Sequence, residues 1–95
     1  MKLELASRPA LASRAKLRRD HVTGQHVLLY PEKGLVLNAT SAAIAARCTG
    51  ELTVAEIAAQ LSREFGESDL ARLEREVVEF LTALAQRGLL RAEPV

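Results

Sequence analysis

The spacing of apolar residues changes character near residue 38 of the chain. Before it, apolar positions come in short runs, Val27-Leu28-Leu29-Tyr30 and Leu35-Val36-Leu37, separated by Pro31-Glu32-Lys33-Gly34. Short aliphatic and β-branched runs bounded by Pro and Gly predict two strands joined as a hairpin. Pro31 presets φ for the first corner of the turn, and Gly34 is expected to take the φ > 0 that a short hairpin loop requires. A lone hairpin is marginal in water, so Lys16 to Arg19 is assigned as a further strand before a turn at Asp20 to Gly24.

After residue 38 the spacing becomes helical. Asn38 or Thr40 can cap an alanine-rich helix whose C-terminus falls near Cys48-Thr49-Gly50. Thr53-Val54-Ala55-Glu56 has the form of a capping box, and Val54, Ile57, Ala58, Leu61 and Phe65 then place one apolar stripe toward a core up to Gly66. Ser68 is expected to cap a third, longer helix of about 30 Å, ending at Gly88. Its apolar positions Leu70, Leu73, Val77, Phe80, Leu81 and Leu84 recur at close to heptad spacing. The expected class is α+β: a winged helix-turn-helix-like fold with a small three-stranded antiparallel sheet followed by three helices.

Both faces of the two central strands are apolar. Val27 and Leu29 point to one side and Leu28 and Tyr30 to the other. Three strands of one small domain are not covered on both faces by its own helices. The edge from Leu35 to Asn38 carries no charged or proline guard, so something is expected to pair with it: a peptide strand, or a second copy of the chain as a homodimer.

Leu28-Leu29-Tyr30-Pro31-Glu32, the following glycine, Leu37-Asn38 before an alanine-rich helix, and Cys48-Thr49-Gly50 resemble the PqqD family, protein D of pyrroloquinoline quinone (PQQ) synthesis. The likeness runs from about Leu17 to Leu90. It departs at Thr49, where that family often has Asp, and at Glu76, where Asp is common before the Val. The resemblance implies a peptide chaperone that binds the ribosomal precursor peptide PqqA and presents it to the radical S-adenosylmethionine enzyme PqqE, which cross-links a Glu and a Tyr of the peptide. It also implies the mode shared by RiPP recognition elements, in which the peptide adds as a strand beside the third strand and along the third helix. On this chain the implied peptide-binding residues are Leu35, Val36, Leu37 and Asn38 with Leu70, Arg72, Leu73, Glu76, Val77 and Phe80.

Composition narrows the function class further. Ninety-five residues suffice for one small domain, and no apolar stretch approaches the roughly 20 residues of a membrane span. Ala10-Leu11-Ala12 has the look of a signal-peptidase site, but Glu4, Ser7, Arg8 and Pro9 interrupt any preceding apolar region, so a soluble, cytoplasmic chain is expected. The net charge of +1 is uneven: residues 1–20 carry six cations and two carboxylates, +4, and the remainder −3. Residues 1–15 are therefore expected to form a flexible basic arm dispensable for folding, ahead of a single winged-helix-like peptide-binding domain at 16–92.

Cys48, the only cysteine, has apolar neighbours and reads as a buried thiol. His21 and His26 beside Asp20 offer too few ligands for a metal site, and no metal or cofactor is expected. The chain carries no Gly-rich phosphate loop, nucleophile elbow, HExxH or CxxC, so a binding protein is expected rather than an enzyme. The winged-helix outline keeps a small DNA-binding regulator as the alternative. Against it, the third helix opens on Glu67, Ser68 and Asp69, which repel a polyanion, and only Tyr30, Phe65 and Phe80 are aromatic; neither nucleic acid nor membrane is an expected partner.

Overall fold

The computed structural model describes residues 2–31 and 33–93. Strands β1 (Arg8–Leu11), β2 (Lys16–Arg19), β3 (His26–Tyr30) and β4 (Lys33–Leu37) precede helices α1 (Ala39–Ala46), α2 (Val54–Phe65) and α3 (Leu70–Gln86), and β5 (Leu90–Glu93) follows. The fold is α+β as expected, with a three-stranded antiparallel sheet, β2-β3-β4, ahead of the three helices. The alternation of strand residues sets its two faces. Leu17, Leu28 and Leu35 stand in one cross-strand row and turn inward, where Leu28 is fully buried and the other two pack against the core.

The helices begin where their caps dictate. The Asn38 side chain accepts from the Ser41 amide at 2.7 Å to start α1, whose small side chains allow a close approach to the sheet and which buries Ala42, Ile44 and Ala45. Thr53 and Glu56 form the anticipated capping box, at 3.1 and 2.8 Å. The α2 stripe buries Val54, Ile57, Ala58 and Leu61, and Gly66 ends the helix at φ 67°. Phe65 departs from the expected stripe: at the last turn it has run past the core and is 46% exposed. In α3, Leu73, Val77, Leu81 and Leu84 are the buried face.

Several local expectations are corrected. Asp69, not Ser68, caps α3, its carboxylate accepting from the Arg72 amide at 3.1 Å, and the helix of 17 residues spans about 26 Å. Gly34 is absent from the positive-φ glycines and lies within β4, because Tyr30 pairs with Lys33 and the turn closes before it. Residue Glu32, which the turn reading included, lies outside the described residues. α1 ends at Ala46, and Gly50 instead donates its amide to the Pro9 carbonyl at 2.9 Å.

The largest correction concerns the basic arm. Arg8–Leu11 is a strand that pairs antiparallel with Leu90–Glu93, from Arg8↔Glu93 to Leu11↔Leu90. Leu3, Ser7, Pro9 and Ala15 are buried. The carbonyls of Ser7 and Leu5 accept from the amides of Val54 and Ala55 at 2.9 and 3.0 Å. Those are the first two α2 amides, which have no partner inside the helix, and Thr53 satisfies the third. Residues 2–15 thus lack periodicity because their backbone, more than their side chains, does the bonding.

Candidate functional site

Among the described residues the β4 strand pairs with β3 on one side only. Tyr30 and Lys33 flank a two-residue loop and are Cα partners; the pair that closes such a loop exchanges backbone hydrogen bonds. Counting from it, Leu35 and Leu37 turn their amides toward β3, and Gly34 and Val36 turn theirs to the free edge. Side chains obey a different alternation: Val36, 59% exposed, projects from the outer face of the sheet, while Leu35 is half-buried and Leu37 buried on the inner one. Val36 therefore offers main chain, not side chain, to anything that lies along the edge.

Two points fix how α3 passes this edge. At one end Arg87, the C-terminal cap of α3, donates to the Tyr30 hydroxyl at 3.3 Å, beside the start of β4. Toward the other end Phe80, Glu76 and Arg72 line one groove with Asn38, the residue after β4. The helix consequently runs antiparallel to β4.

The groove has a volume of about 540 Å³. Ile44, Phe65, Leu73 and Phe80 make its walls apolar, and Thr40 and Ser41 of α1 add hydroxyls. Its rim is charged: Glu67, Glu76 and Glu79 against Arg72. The Arg72 guanidinium lies 3.3 Å from Glu76 and 3.8 Å from Glu67. These pairs are exposed and contribute little to stability, so Arg72 can exchange them for a ligand carboxylate while the excess carboxylates suit a ligand cation.

Of the residues singled out from the sequence, the structure brings Asn38, Arg72, Leu73, Glu76 and Phe80 together at the groove. Leu70, 40% exposed, stands at the start of α3 outside the lining, and Val77 is fully buried in the core and cannot form a side-chain pocket. Asn38 is already engaged as the α1 cap. The sequence reading missed Thr40, Ser41, Ile44, Phe65, Glu67 and Glu79. The only signal for Phe65 was its place at the very end of a stripe, where the helix outruns the core it packs on.

The thiol of Cys48 donates to the Ile44 carbonyl at 3.2 Å in the interior, and burial pushes its pKa up to about 12. A thiol held protonated is not a nucleophile. Among the described residues no three His, Cys, Asp or Glu side chains gather to hold a metal ion.

Comparison with known proteins places this arrangement. Residues 25–90 match the family described as Coenzyme PQQ synthesis protein D (PqqD). A PqqA binding protein of Xanthomonas axonopodis pv. citri (strain 306) is 39% identical over 85 residues, which are 90% of this chain and 91% of that protein. The PqqA binding protein of Xanthomonas campestris pv. campestris (strain B100) is 39% identical over 83 residues, 87% of this chain and 89% of its own. Among solved structures, the PqqD truncation of Methylobacterium extorquens PqqCD, described as a functional and stand-alone RiPP recognition element, superimposes with a TM-score of 0.75 at 34% identity over 87% of each chain. The crystal structure of PqqD from Xanthomonas campestris gives a TM-score of 0.59 at 36% identity, over 86% of this chain and 90% of that one. With β3, β4, the three helices and the Cys48-Thr49-Gly50 segment all inside residues 25–90, the chain belongs to the PqqD family of coenzyme PQQ synthesis.

Proposed function

We propose that this chain is a peptide chaperone of PQQ biosynthesis that binds the precursor peptide PqqA as an added strand and presents it to the radical S-adenosylmethionine enzyme PqqE, itself performing no chemistry on the peptide. The observation that carries this reading is the free β4 edge, with the Gly34 and Val36 amides turned outward, which ends at Asn38 in the lining of a groove walled by α3. Strand addition draws affinity from main-chain hydrogen bonds and selectivity from side-chain pockets. Here Gly34 and Val36 supply the first, and Leu73, Phe80 and Phe65, with Arg72 and Glu76 at the rim, supply the second. The relatives named PqqA binding proteins support the ligand, and the resemblance to the family supports the enzyme partner.

The protein works in the cytoplasm, where a ribosomal peptide is made; no helix of the described residues is long and apolar enough to cross a membrane. The same edge admits a second copy of the chain, so a homodimer formed there would compete with the peptide. The DNA-binding alternative has no support among the relatives, and a groove rimmed by three carboxylates and one guanidinium is the wrong sign for a polyanion.

Titration of labelled PqqA against the full chain tests the reading. Saturable binding with amide shifts confined to β4 and α3 is expected. Absence of binding, or tighter and steeply salt-dependent binding of an unrelated DNA duplex, overturns it.

A further inference from the structure

The face of the β2-β3-β4 sheet turned away from the helices is apolar, basic and uncovered. The register places Lys16 beside Leu29 and Leu29 beside Gly34, and Arg18 beside Val27 and Val27 beside Val36, in two adjacent cross-strand rows. Neither row contains a carboxylate. Leu29 is 43% exposed and Val36 59%. Gly34 serves this face: a Cβ there would lie 3.3 Å from both the Leu29 and Val27 side chains, so its absence lets the aliphatic groups close over the strand.

At the edge of the same face the turn after β2 projects Val22, which is 94% exposed. This is no loose tip. The Asp20 carboxylate accepts from the amides of Val22 and Thr23 at 2.8 and 3.3 Å, and the backbone closes through Asp20 to Gln25 and Gly24 to Asp20, each at 2.7 Å. Asp20 is thereby committed to the turn. Val22, Val27 and Leu29 share a shallow depression of about 480 Å³ with Arg18, Arg19 and His21, and Asp20 is the one carboxylate in its lining. Among the described residues the ion pairs fall on Arg47 and Arg72 and none on Lys16, Arg18 or Arg19, which outnumber the single Asp20 carboxylate beside them.

An aliphatic patch with a fixed knob and a cationic rim has the anatomy of a protein interface: an apolar centre that excludes water and charged surroundings that select the partner. A nucleic acid would want aromatic stacking or a denser run of cations, and a bilayer an aromatic or longer aliphatic face; this one has neither. The face shares Gly34 and Val36 with the β4 edge, but it uses the side chains that project outward while the edge offers main chain, and none of its residues lines the groove, so both surfaces can be occupied together.

We propose that the outer sheet face, with Val22 at its rim, docks a folded protein surface that has an apolar centre flanked by carboxylates, and that this surface belongs to the enzyme acting on the bound peptide. This rests on the presentation step of the proposed function. It assigns the two partners to different groups: the peptide to the main chain of the β4 edge, the enzyme to the side chains of Val22, Val27, Leu29 and Val36 with Lys16 and Arg18.

The test uses the full chain, its precursor peptide and the cognate radical S-adenosylmethionine enzyme, with each affinity measured separately by calorimetry for the parent, Val22→Asp and Arg18→Glu. Both substitutions are on exposed side chains, and circular dichroism checks that the fold survives. Each is expected to weaken enzyme binding about tenfold or more, with peptide affinity unchanged. Parent-level enzyme binding by both variants overturns the assignment of this face and leaves peptide binding standing. Parallel loss of peptide and enzyme also overturns it, because the effect would then pass through the groove. If the parent binds peptide but not enzyme, the docking proposal and the presentation step fall together; if it binds neither, the peptide reading falls as well. A DNA duplex or phosphatidylserine-containing vesicles that bind the parent more tightly than the enzyme does, and lose binding in the same variants, would overturn a protein as the occupant.

Discussion

The guanidinium of Arg14 donates to the carbonyl oxygen of Gly88 at 3.1 Å and reaches that of Arg87 at 3.5 Å, so a residue of the N-terminal segment closes the C-terminal end of α3. A cation at the carbonyl end of a helix is favoured by the helix dipole as well as by the hydrogen bonds. Gly88 has φ 72°, and a Cβ there would come within 2.6 Å of the Arg14 guanidinium. Arg14→Ala is expected to cost about 0.5–1 kcal/mol. Gly88→Ala is expected to cost more than the 1 kcal/mol or so of left-handed strain alone, since it also displaces the guanidinium. Urea titrations of both variants check the order.

The same segment bears on truncation. A chain beginning at Arg14 keeps that contact but loses β1, the buried Leu3, Ser7 and Pro9, and the two carbonyls that accept from α2. It is expected to melt several degrees below the full chain, since about 1 kcal/mol corresponds to roughly 4–8 °C in a domain of this size. A melting temperature equal to that of the full chain would show that β1 contributes no net stability.

Proline substitutions separate the two sides of β4. Val36→Pro removes an amide turned to the free edge and is expected to leave the circular dichroism spectrum intact while weakening peptide binding by at least about 1 kcal/mol. Leu35→Pro removes an amide bonded to β3 and is expected to unfold the sheet. Equal peptide affinity for the parent and a folded Val36→Pro variant would exclude strand addition at this edge.

Side-chain truncations distinguish groove from core. Phe65→Ala and Arg72→Ala are expected to weaken peptide binding with little change in melting temperature, because both side chains are substantially exposed at the groove. Val77→Ala is expected to destabilise by about 1.5–3 kcal/mol through lost burial and, at temperatures where it remains folded, to bind peptide normally.

The Glu56 carboxyl is held below its ordinary value of 4.5 by hydrogen bonds from the Thr53 amide and hydroxyl. A carboxylate depressed in the folded state contributes stability that is complete above its unfolded pKa and is lost as pH falls through the folded one. The melting-temperature gap between the parent and Glu56→Gln is thus expected to be constant above about pH 5 and to narrow below the unfolded value.

Much of the fold was legible because its signals are local. The capping box at Thr53 and Glu56, the α2 stripe from Val54 to Leu61, and the β2-β3-β4 meander follow from residue spacing and turn chemistry, and the structure has them where they were expected. β1 and β5 were not legible: Arg8 to Leu11 contains a proline and no alternation, and Leu90 to Glu93 is four residues long. Their pairing depends on a partner more than 75 residues away. The candidate site divides the same way. Arg72, Leu73, Glu76 and Phe80 fall on one accessible side of a helix whose period is visible, whereas Val77 shares the stripe and faces inward. Phe65, Thr40 and Ser41 join the groove only because the ends of α2 and α1 meet there, which no single segment encodes.

The antiparallel pairing of Arg8 with Glu93 also orders events during synthesis. The residues of β1 leave the ribosome well before their strand partner, which lies more than 75 residues later in the chain. The meander and the three helices can collapse beforehand through contacts between near neighbours, which form fastest. Until β5 has emerged, β1 lacks the ladder that holds it, and the amides of Val54 and Ala55 lack dependable acceptors. The nascent domain therefore waits on β5, and fraying of β1 or β5 in the finished one loosens the start of α2, far from both in sequence.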